Sequence, residues 1–182
     1  TIKLLGGASQ GYELYVFPDG GAEQDPDEWW SAMCDTTKTA LKEADVTPDI
    51  MNQRLENFIK NTFELLAKDY PNLKIYAYDV CNELYENNGG GFRKPGSNNL
   101  EMGKSYWTKI YPDDSFVINA FTYARKYAPP ECKLFLNDFN EYVPEKTKDI
   151  YYMAMKLKDL GLIDGIGMQS HLDTGYPDIS TY

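Results

Sequence analysis

Histidine is almost missing from this chain: His171 is the single one in 182 residues. A metal centre built on clustered imidazoles is therefore excluded. Cysteine is scarce too. Cys34, Cys81 and Cys132 are odd in number and widely spaced, which gives neither a CxxC metal clip nor a disulfide framework. Cys81 and Cys132 fall in or beside expected strands, where a thiol acts as a small buried hydrophobe. Basic residues are in deficit, with 18 Lys and Arg against 28 Asp and Glu and a net charge of −10. Such a surface repels phosphate backbones and anionic lipid, so neither nucleic acid nor a membrane is an expected partner. No apolar run approaches the roughly 20 residues that cross a bilayer. Internal repeats and low-complexity tracts are absent. Thr1 opens no basic-then-apolar leader, so a signal peptide would be already removed or lie outside the segment.

What the chain does have is aromatic surface, with 15 Tyr, 8 Phe and 3 Trp. Aromatic faces suit sugar rings, although core filling accounts for most of them. The first 25 residues differ from the rest. Residues 2–5 and 12–17 are strand-like, separated by Gly6-Gly7 and followed by the turn Pro18-Asp19-Gly20-Gly21. Asp27 is a candidate cap for a helix through Trp29, Trp30 and Met33, a pattern that Thr36, Thr37 and Thr39 weaken.

From residue 47 the pattern sharpens. Thr47-Pro48 reads as an N-cap followed by proline at the first helical position. Ile50, Met51, Leu55, Phe58, Ile59, Leu65 and Leu66 then recur near the helical period. An aromatic, β-rich run ends at Asn82 and Glu83. An Asn- and Gly-rich loop follows over residues 86–105, either bordering a binding site or acting as a mobile connector. Asp113 or Asp114 caps a helix whose face is Phe116, Val117, Ala120, Phe121 and Ala124, and Pro129-Pro130 stops it. Residues 133–137 read as a short buried strand. Pro144 starts a helix through Ile150, Ala154, Leu157 and Leu160, and Gly161 suits its C-terminal cap. Residues 165–169 form a third strand whose glycines permit close packing.

Helix and strand thus alternate three times over residues 47–171, which implies parallel strands with helical crossovers. Each strand ends on polar side chains: Asn82 and Glu83, then Asn137, Asp138 and Asn140, then Gln169 and His171. Three polar ends in succession, all at the same end, argue for one shared pocket. The fold class expected is α/β: an incomplete (β/α)8 TIM-type barrel of three to four βα units, behind a short β-like N-terminal segment. A complete barrel takes about 250 residues.

Cleaving a glycosidic bond needs a carboxylic acid to protonate the departing oxygen. In retaining enzymes it also needs a carboxylate about 5–5.5 Å away as nucleophile. Glu83 suits the first role, Asn82 could hold a sugar hydroxyl, and Gln169 and His171 could orient a second carboxylate by hydrogen bonds. Asp79 is expected to point inward into a buried hydrogen bond. Glu141 reads as a solvated loop carboxylate, and Asp138 lacks a second group with which to hold a metal.

The motifs Asp79-Val80-Cys81-Asn82-Glu83, Leu136-Asn137-Asp138-Phe139-Asn140 and Asp164-Gly165-Ile166-Gly167-Met168-Gln169-Ser170-His171 resemble successive strand motifs of family 10 glycoside hydrolases. Phe116-Val117-Ile118-Asn119-Ala120-Phe121 and Ala124-Arg125 resemble that family's crossover helix. The resemblance runs from about residue 47 to 171. It implies a retaining endo-β-1,4-xylanase on a (β/α)8 barrel, acting on xylan and xylooligosaccharides, secreted, and needing no cofactor or metal.

Residue by residue, the resemblance makes Glu83 the acid/base and Asn82 the amide that contacts sugar beside the cleaved bond. Gln169 and His171 become the residues that position the nucleophile, and Asn137 and Asp138 shape the pocket wall. The family's nucleophile belongs to a Thr-Glu-Leu-Asp-like run on the next strand, which residues 1–182 do not contain. The chain is thus expected to supply the acid/base while the nucleophile comes from outside it, the remaining barrel segment being a possible partner. The expected division is residues 1–25, read as the end of an inserted sugar-binding module, an N-terminal extension or a divergent barrel strand, and residues 26–182, the partial barrel. The rival reading is a non-catalytic oligosaccharide-binding or assembly fragment.

Overall fold

A computed structural model describes residues 7–11, 13–18, 22–23, 25–44, 46–95, 105–178 and 180. The chain divides into two units: residues 1–47 with 96–102, and residues 48–95 with 103–182.

In the first unit, β1 (Tyr15–Val16) pairs antiparallel with β2 (Ala22–Glu23), Tyr15 opposite Glu23. The strand expected over residues 12–17 thus shortens to two residues, and residues 2–5, 12 and 19–21 lie outside the described part. Helix α1 (Pro26–Ala44) starts two residues earlier than a cap at Asp27 would give, because Asp25 caps it. The Asp25 carboxylate accepts the Asp27 and Glu28 N–H groups at 2.8 and 3.4 Å, partners that a helix N-terminus otherwise lacks. Thr36 and Thr37 do not break α1. Their hydroxyls donate back to the carbonyls of Ala32 and Met33, a bond that lets threonine sit inside a helix.

The second unit runs α2 (Pro48–Asp69), β3 (Ala77–Asn82), α3 (Trp107–Ile110), α4 (Ser115–Tyr127), β4 (Lys133–Asp138), α5 (Pro144–Asp159) and β5 (Gly165–Met168). The strands form one parallel sheet in the order β3-β4-β5. Every strand-to-strand connection therefore passes through a helix, as the alternating pattern requires. On β4, Leu134 and Leu136 are wholly buried with Val117, Phe121 and Ala124 of α4 and Leu157 of α5 in one core.

Helix α2 corrects its expected stripe. Met51, Leu55, Ile59 and Phe63 pack into the core, four residues apart on one face. Phe58 and Leu65 point to solvent, at 65% and 56% exposure, as does Leu160 at the end of α5. One half-buried polar junction ties α2 to α4: Asn52 Oδ1 accepts both the Tyr111 hydroxyl and the Asn119 amide at 2.8 Å.

The lower rim of the sheet is held by Asp164, just before β5. Its carboxylate accepts the Leu134 N–H at 2.9 Å and the Arg125 guanidinium at 2.7 Å, with Lys133 at 3.4 Å. Burial pushes this carboxyl up, but the Leu134 N–H and then the Arg125 bonds outweigh it and hold it below the usual carboxylate range. A carboxyl lowered in the folded state stabilises the fold above its unfolded pKa of about 3.9, and that contribution fades as pH falls through the folded value. Asp164→Asn should therefore lower the unfolding midpoint at pH 7, with the gap from the parent narrowing below about pH 4. Thermal or urea unfolding across pH 3–7 checks this, and a gap that stays constant or widens in acid contradicts it.

Candidate active site

The site grows from a flaw in β3. Pairing with β4 runs Asp79 opposite Phe135 but Cys81 opposite Leu136, so Val80 is an extra residue. Strand side chains alternate faces, and a single extra residue reverses the alternation beyond it. The bulge thereby sends Cys81 to the Leu136 side and Asn82 to the Asn137 side. Two rows then cross the sheet on the same face: Asp79, Phe135 and Gly165, and above them Asn82, Asn137 and Gly167. Both glycines let a neighbouring side chain lie close over the strand. A Cβ at Gly165 would lie 2.6 Å from the Phe135 ring, and one at Gly167 would lie 2.6 Å from Asn137 Oδ1. Asp79 shares this face but is exposed, not placed in the expected buried hydrogen bond.

At the upper end each strand breaks into a left-handed residue. Glu83 has φ 55°, Asn140 φ 57° and Ser170 φ 49°, a conformation that costs a non-glycine residue roughly 1–2 kcal/mol. Glu83 N–H still donates to Asn137 O at 2.9 Å, and Gln169 N–H to Asp138 O at 3.0 Å. The strain thus lies where side chains leave the ladder and turn toward the rim.

Five side chains there form one hydrogen-bond chain. Asn82 Oδ1 accepts the Asn137 amide at 2.8 Å and the Gln169 amide at 3.0 Å. Gln169 Nε2 also donates to Glu83 Oε1 at 3.1 Å, and Gln169 Oε1 lies 2.9 Å from His171 Nε2. The chemistry of the partners orders the chain. Gln169 spends both amide hydrogens on Asn82 and Glu83, which leaves its carbonyl to accept from His171. His171 must then carry its hydrogen on Nε2. The ring itself is exposed and stands edge-on to Phe139, with centroids 6.3 Å apart.

Glu83 is half-buried and borders a cleft of about 370 Å³, with Asn82 and Arg93 as polar lining and Leu55, Trp107 and Phe116 as apolar lining. Arg93 is the residue that inspection of the motifs missed. It is only 6% exposed, and its guanidinium donates to Glu83 Oε2 at 3.2 Å. A signal existed: Arg93 is one of three arginines in the chain and closes the Asn- and Gly-rich run that follows Glu83.

Over the described part, residues 86–95, those residues form a hairpin tied to its surroundings. Tyr85 bridges Phe92, and Glu86 N–H donates to Gly91 O at 3.1 Å. Asp149 of α5 accepts the Gly90 and Gly91 N–H groups at 2.8 and 2.9 Å. Gly89 presses so closely on α5 that a Cβ would lie 2.5 Å from the backbone of Glu145 and Lys146. Residues 96–104 of the loop lie outside the described part.

Two further expectations are corrected. Asp138 does not share the sheet face of Asn137. It alternates to the helix side, where it is wholly buried and paired at 2.8 Å with an equally buried Lys146 of α5, whose ammonium also sits 3.8 Å over the Phe139 ring. Glu141 is not solvated. It is 8% exposed, and its Oε1 lies 3.5 Å from the Ser170 N–H, because the left-handed turn at Asn140 folds the chain back beneath the rim. The cysteines are free, with Cys132 buried and Cys81 half-buried in β3, where burial pushes its thiol up to about 12. Among the described residues no group of His, Cys, Asp and Glu is arranged to hold a metal ion.

The profile of glycosyl hydrolase family 10 matches residues 28–182. The chain belongs to that family. Its three parallel strands are accordingly part of a (β/α)8 barrel. The bifunctional endo-1,4-beta-xylanase XylA of Ruminococcus flavefaciens is 69% identical over 137 residues, which covers 75% of this chain and 14% of that protein. Endo-1,4-beta-xylanase Y of Acetivibrio thermocellus is 45% identical over 146 residues, covering 75% of this chain and 13% of that one. The Clostridium thermocellum xylanase 10B CBM22-1–GH10 structure with bound xylohexaose superposes with a TM-score of 0.64 at 46% identity, over 69% of this chain and 25% of that chain. The family 10 chain thus spans about a seventh of the length of the two curated relatives. No helix among its described residues is long and apolar enough to cross a membrane.

Proposed function

We propose that this chain supplies the proton-donating part of the active site of a retaining endo-β-1,4-xylanase, with Glu83 as acid/base. The observation that carries the reading is the placement of Glu83: a strand-end carboxyl at the rim of a cleft, with a donor on each oxygen, Gln169 on one and Arg93 on the other. The names of the relatives support xylan and xylooligosaccharides as the substrates. In the first step the Glu83 proton passes to the glycosidic oxygen as its bond to the anomeric carbon breaks, and a nucleophilic carboxylate bonds that carbon on the opposite face. In the second step the Glu83 carboxylate takes a proton from the water that displaces the nucleophile, so configuration is retained.

Asn82 contacts the sugar beside the cleaved bond, and Gln169 and His171 position the nucleophile. The nucleophile lies outside residues 1–182. In support, the hydrogen-bond chain through Asn82, Glu83, Gln169 and His171 includes no second carboxylate among the described residues. Asp138 is committed to Lys146, and Glu141 is turned beneath the rim. Action on a wall polymer implies secretion. The antiparallel β1–β2 pair precedes the family match and supports residues 1–25 as the end of an inserted sugar-binding module.

Two measurements test this reading. Xylooligosaccharide hydrolysis by the enzyme that carries these residues, followed by proton NMR, should release the β-anomer first, and an α-anomer first would overturn retention. Residues 1–182 alone should release no reducing sugar from xylan. Release by that chain would overturn the external nucleophile, whereas binding of xylohexaose without cleavage in every form of the protein would favour a binding module.

A further inference from the structure

We propose that Arg93 is the positioning residue of Glu83, and that α5 holds it in place through the glycine hairpin. The inference rests on the reading of Glu83 as the acid/base and adds to it a residue that touches the carboxyl rather than the sugar.

A guanidinium with 6% exposure has to be satisfied from several sides. Arg93 is. Its Nε donates to Tyr85 O at 3.0 Å, one terminal nitrogen reaches Asn87 Oδ1 at 3.4 Å, and its plane lies 5.4 Å from the Phe139 ring centre. The same terminal nitrogen meets Glu83 Oε2 at 3.2 Å. The fork is thus aimed by backbone, amide and ring before it reaches the carboxylate, and a guanidinium keeps that geometry because it is planar.

The mounting beneath Arg93 is equally fixed. Tyr85 and Phe92 stack with centroids 5.1 Å apart at the base of the hairpin. Asp149 binds its two tip N–H groups, and Gly89 leaves no room to slide against α5. Asn140 Nδ2 adds a bond to Asn87 O at 3.2 Å, from the turn after β4.

A glutamate side chain has three rotatable bonds, and one donor leaves its carboxyl free to pivot about that contact. Donors on both oxygens fix the plane. Gln169 on Oε1 comes from β5 and Arg93 on Oε2 from the hairpin, so the carboxyl is held from two independent elements. A proton donor misplaced by about 1 Å loses on the order of a hundredfold in rate. That loss falls on substrates whose leaving group needs the proton. A residue that only stabilised the fold would slow every substrate alike.

The test compares Arg93→Met, Arg93→Lys and Asp149→Asn in the enzyme that carries these residues, with Glu83→Ala as reference. The substrates are xylotetraose and 2,4-dinitrophenyl xylobioside, whose leaving group departs without a proton. Arg93→Met should lose roughly a hundredfold in kcat on xylotetraose, with KM nearly unchanged, and less than about tenfold in kcat/KM on the aryl substrate. Arg93→Lys should recover part of the loss. If Glu83→Ala itself loses equally on both substrates, the acid/base reading fails, and this inference with it. If Glu83→Ala shows the split while Arg93→Met loses equally on both, or loses nothing, the positioning role alone is overturned. Should Arg93→Met not fold, Asp149→Asn leaves the guanidinium in place and only loosens the hairpin. It should show the same split at smaller size, and its absence overturns the inference.

Discussion

Glu83→Ala should lower kcat/KM on xylan by roughly 10²–10⁴-fold while leaving kcat/KM for 2,4-dinitrophenyl xylobioside within about tenfold of the parent. The two numbers differ because they ask different things of the same carboxyl. Breaking a sugar–sugar bond expels an alkoxide unless a proton arrives with it, and the donor at the rim of the cleft is Glu83. A dinitrophenolate is stable without a proton, so bond cleavage no longer depends on the missing acid. The second step still needs a base for water, so the glycosyl-enzyme should accumulate. With the aryl substrate kcat should then fall along with KM, and a burst of dinitrophenolate should precede the steady state. Steady-state and stopped-flow kinetics on the two substrates check both statements. Equal losses on both would assign the proton to another group.

The largest stability effect is expected at the opposite face of β4. Lys146 and Asp138 are both completely buried and meet at 2.8 Å. Removing one member of such a pair strands the other charge in the interior, at a cost of about 3–5 kcal/mol. In Lys146→Met the Asp138 carboxylate would keep only the Phe139 N–H at 2.9 Å and a long contact to the Tyr85 N–H at 3.5 Å. Urea unfolding should therefore show a loss of about 3–5 kcal/mol for Lys146→Met, and Asp138→Asn added to it should restore part of the loss. A single variant within about 1 kcal/mol of the parent would mean that the pair is not desolvated as described. The pair also bears on the site. Asp138 lies directly below the turn that carries Phe139 and Asn140, and Lys146 supports the Phe139 ring on which Arg93 rests.

Much of this architecture can be read from the residues alone, and the parts that cannot share a cause. The parallel strands were legible because each is short, apolar and ends on polar residues, and α4 because Phe116, Val117, Ala120, Phe121 and Ala124 leave a single possible buried arc. Helix α2 was ambiguous. Phe58 and Leu65 extend the apolar pattern as plausibly as Phe63 does, and only the position of the sheet decides which arc is covered. The family resemblance put Asp138 on the pocket wall together with Asn137, although neighbours on a strand face opposite ways. Glu141 looked solvated because it follows a strand, but a left-handed Asn140 reverses the chain there, and no composition rule announces that turn.

The same holds for the bulge at Val80. Nothing in Asp79-Val80-Cys81-Asn82 marks an extra residue, yet it turns Asn82 toward Asn137 and Gly167. Arg93 was hidden for a different reason. A charged residue in a polar, glycine-rich loop ordinarily faces water, but the hairpin that carries this one is tied to Asp149, more than 50 residues further along the chain. Strand ends can be located by local pattern. The groups that aim a side chain at those ends come from distant segments, and pairwise geometry alone reveals them.

Azide rescue of Glu83→Ala tests the central claim most directly. Azide is an anion that attacks without help from a base, so it should bypass the missing carboxylate at the glycosyl-enzyme. With 2,4-dinitrophenyl xylobioside and added azide, turnover should rise severalfold and the product should be the β-configured xylobiosyl azide. No acceleration by azide, or an α-configured azide, would contradict the assignment of Glu83 as the acid/base of a retaining enzyme.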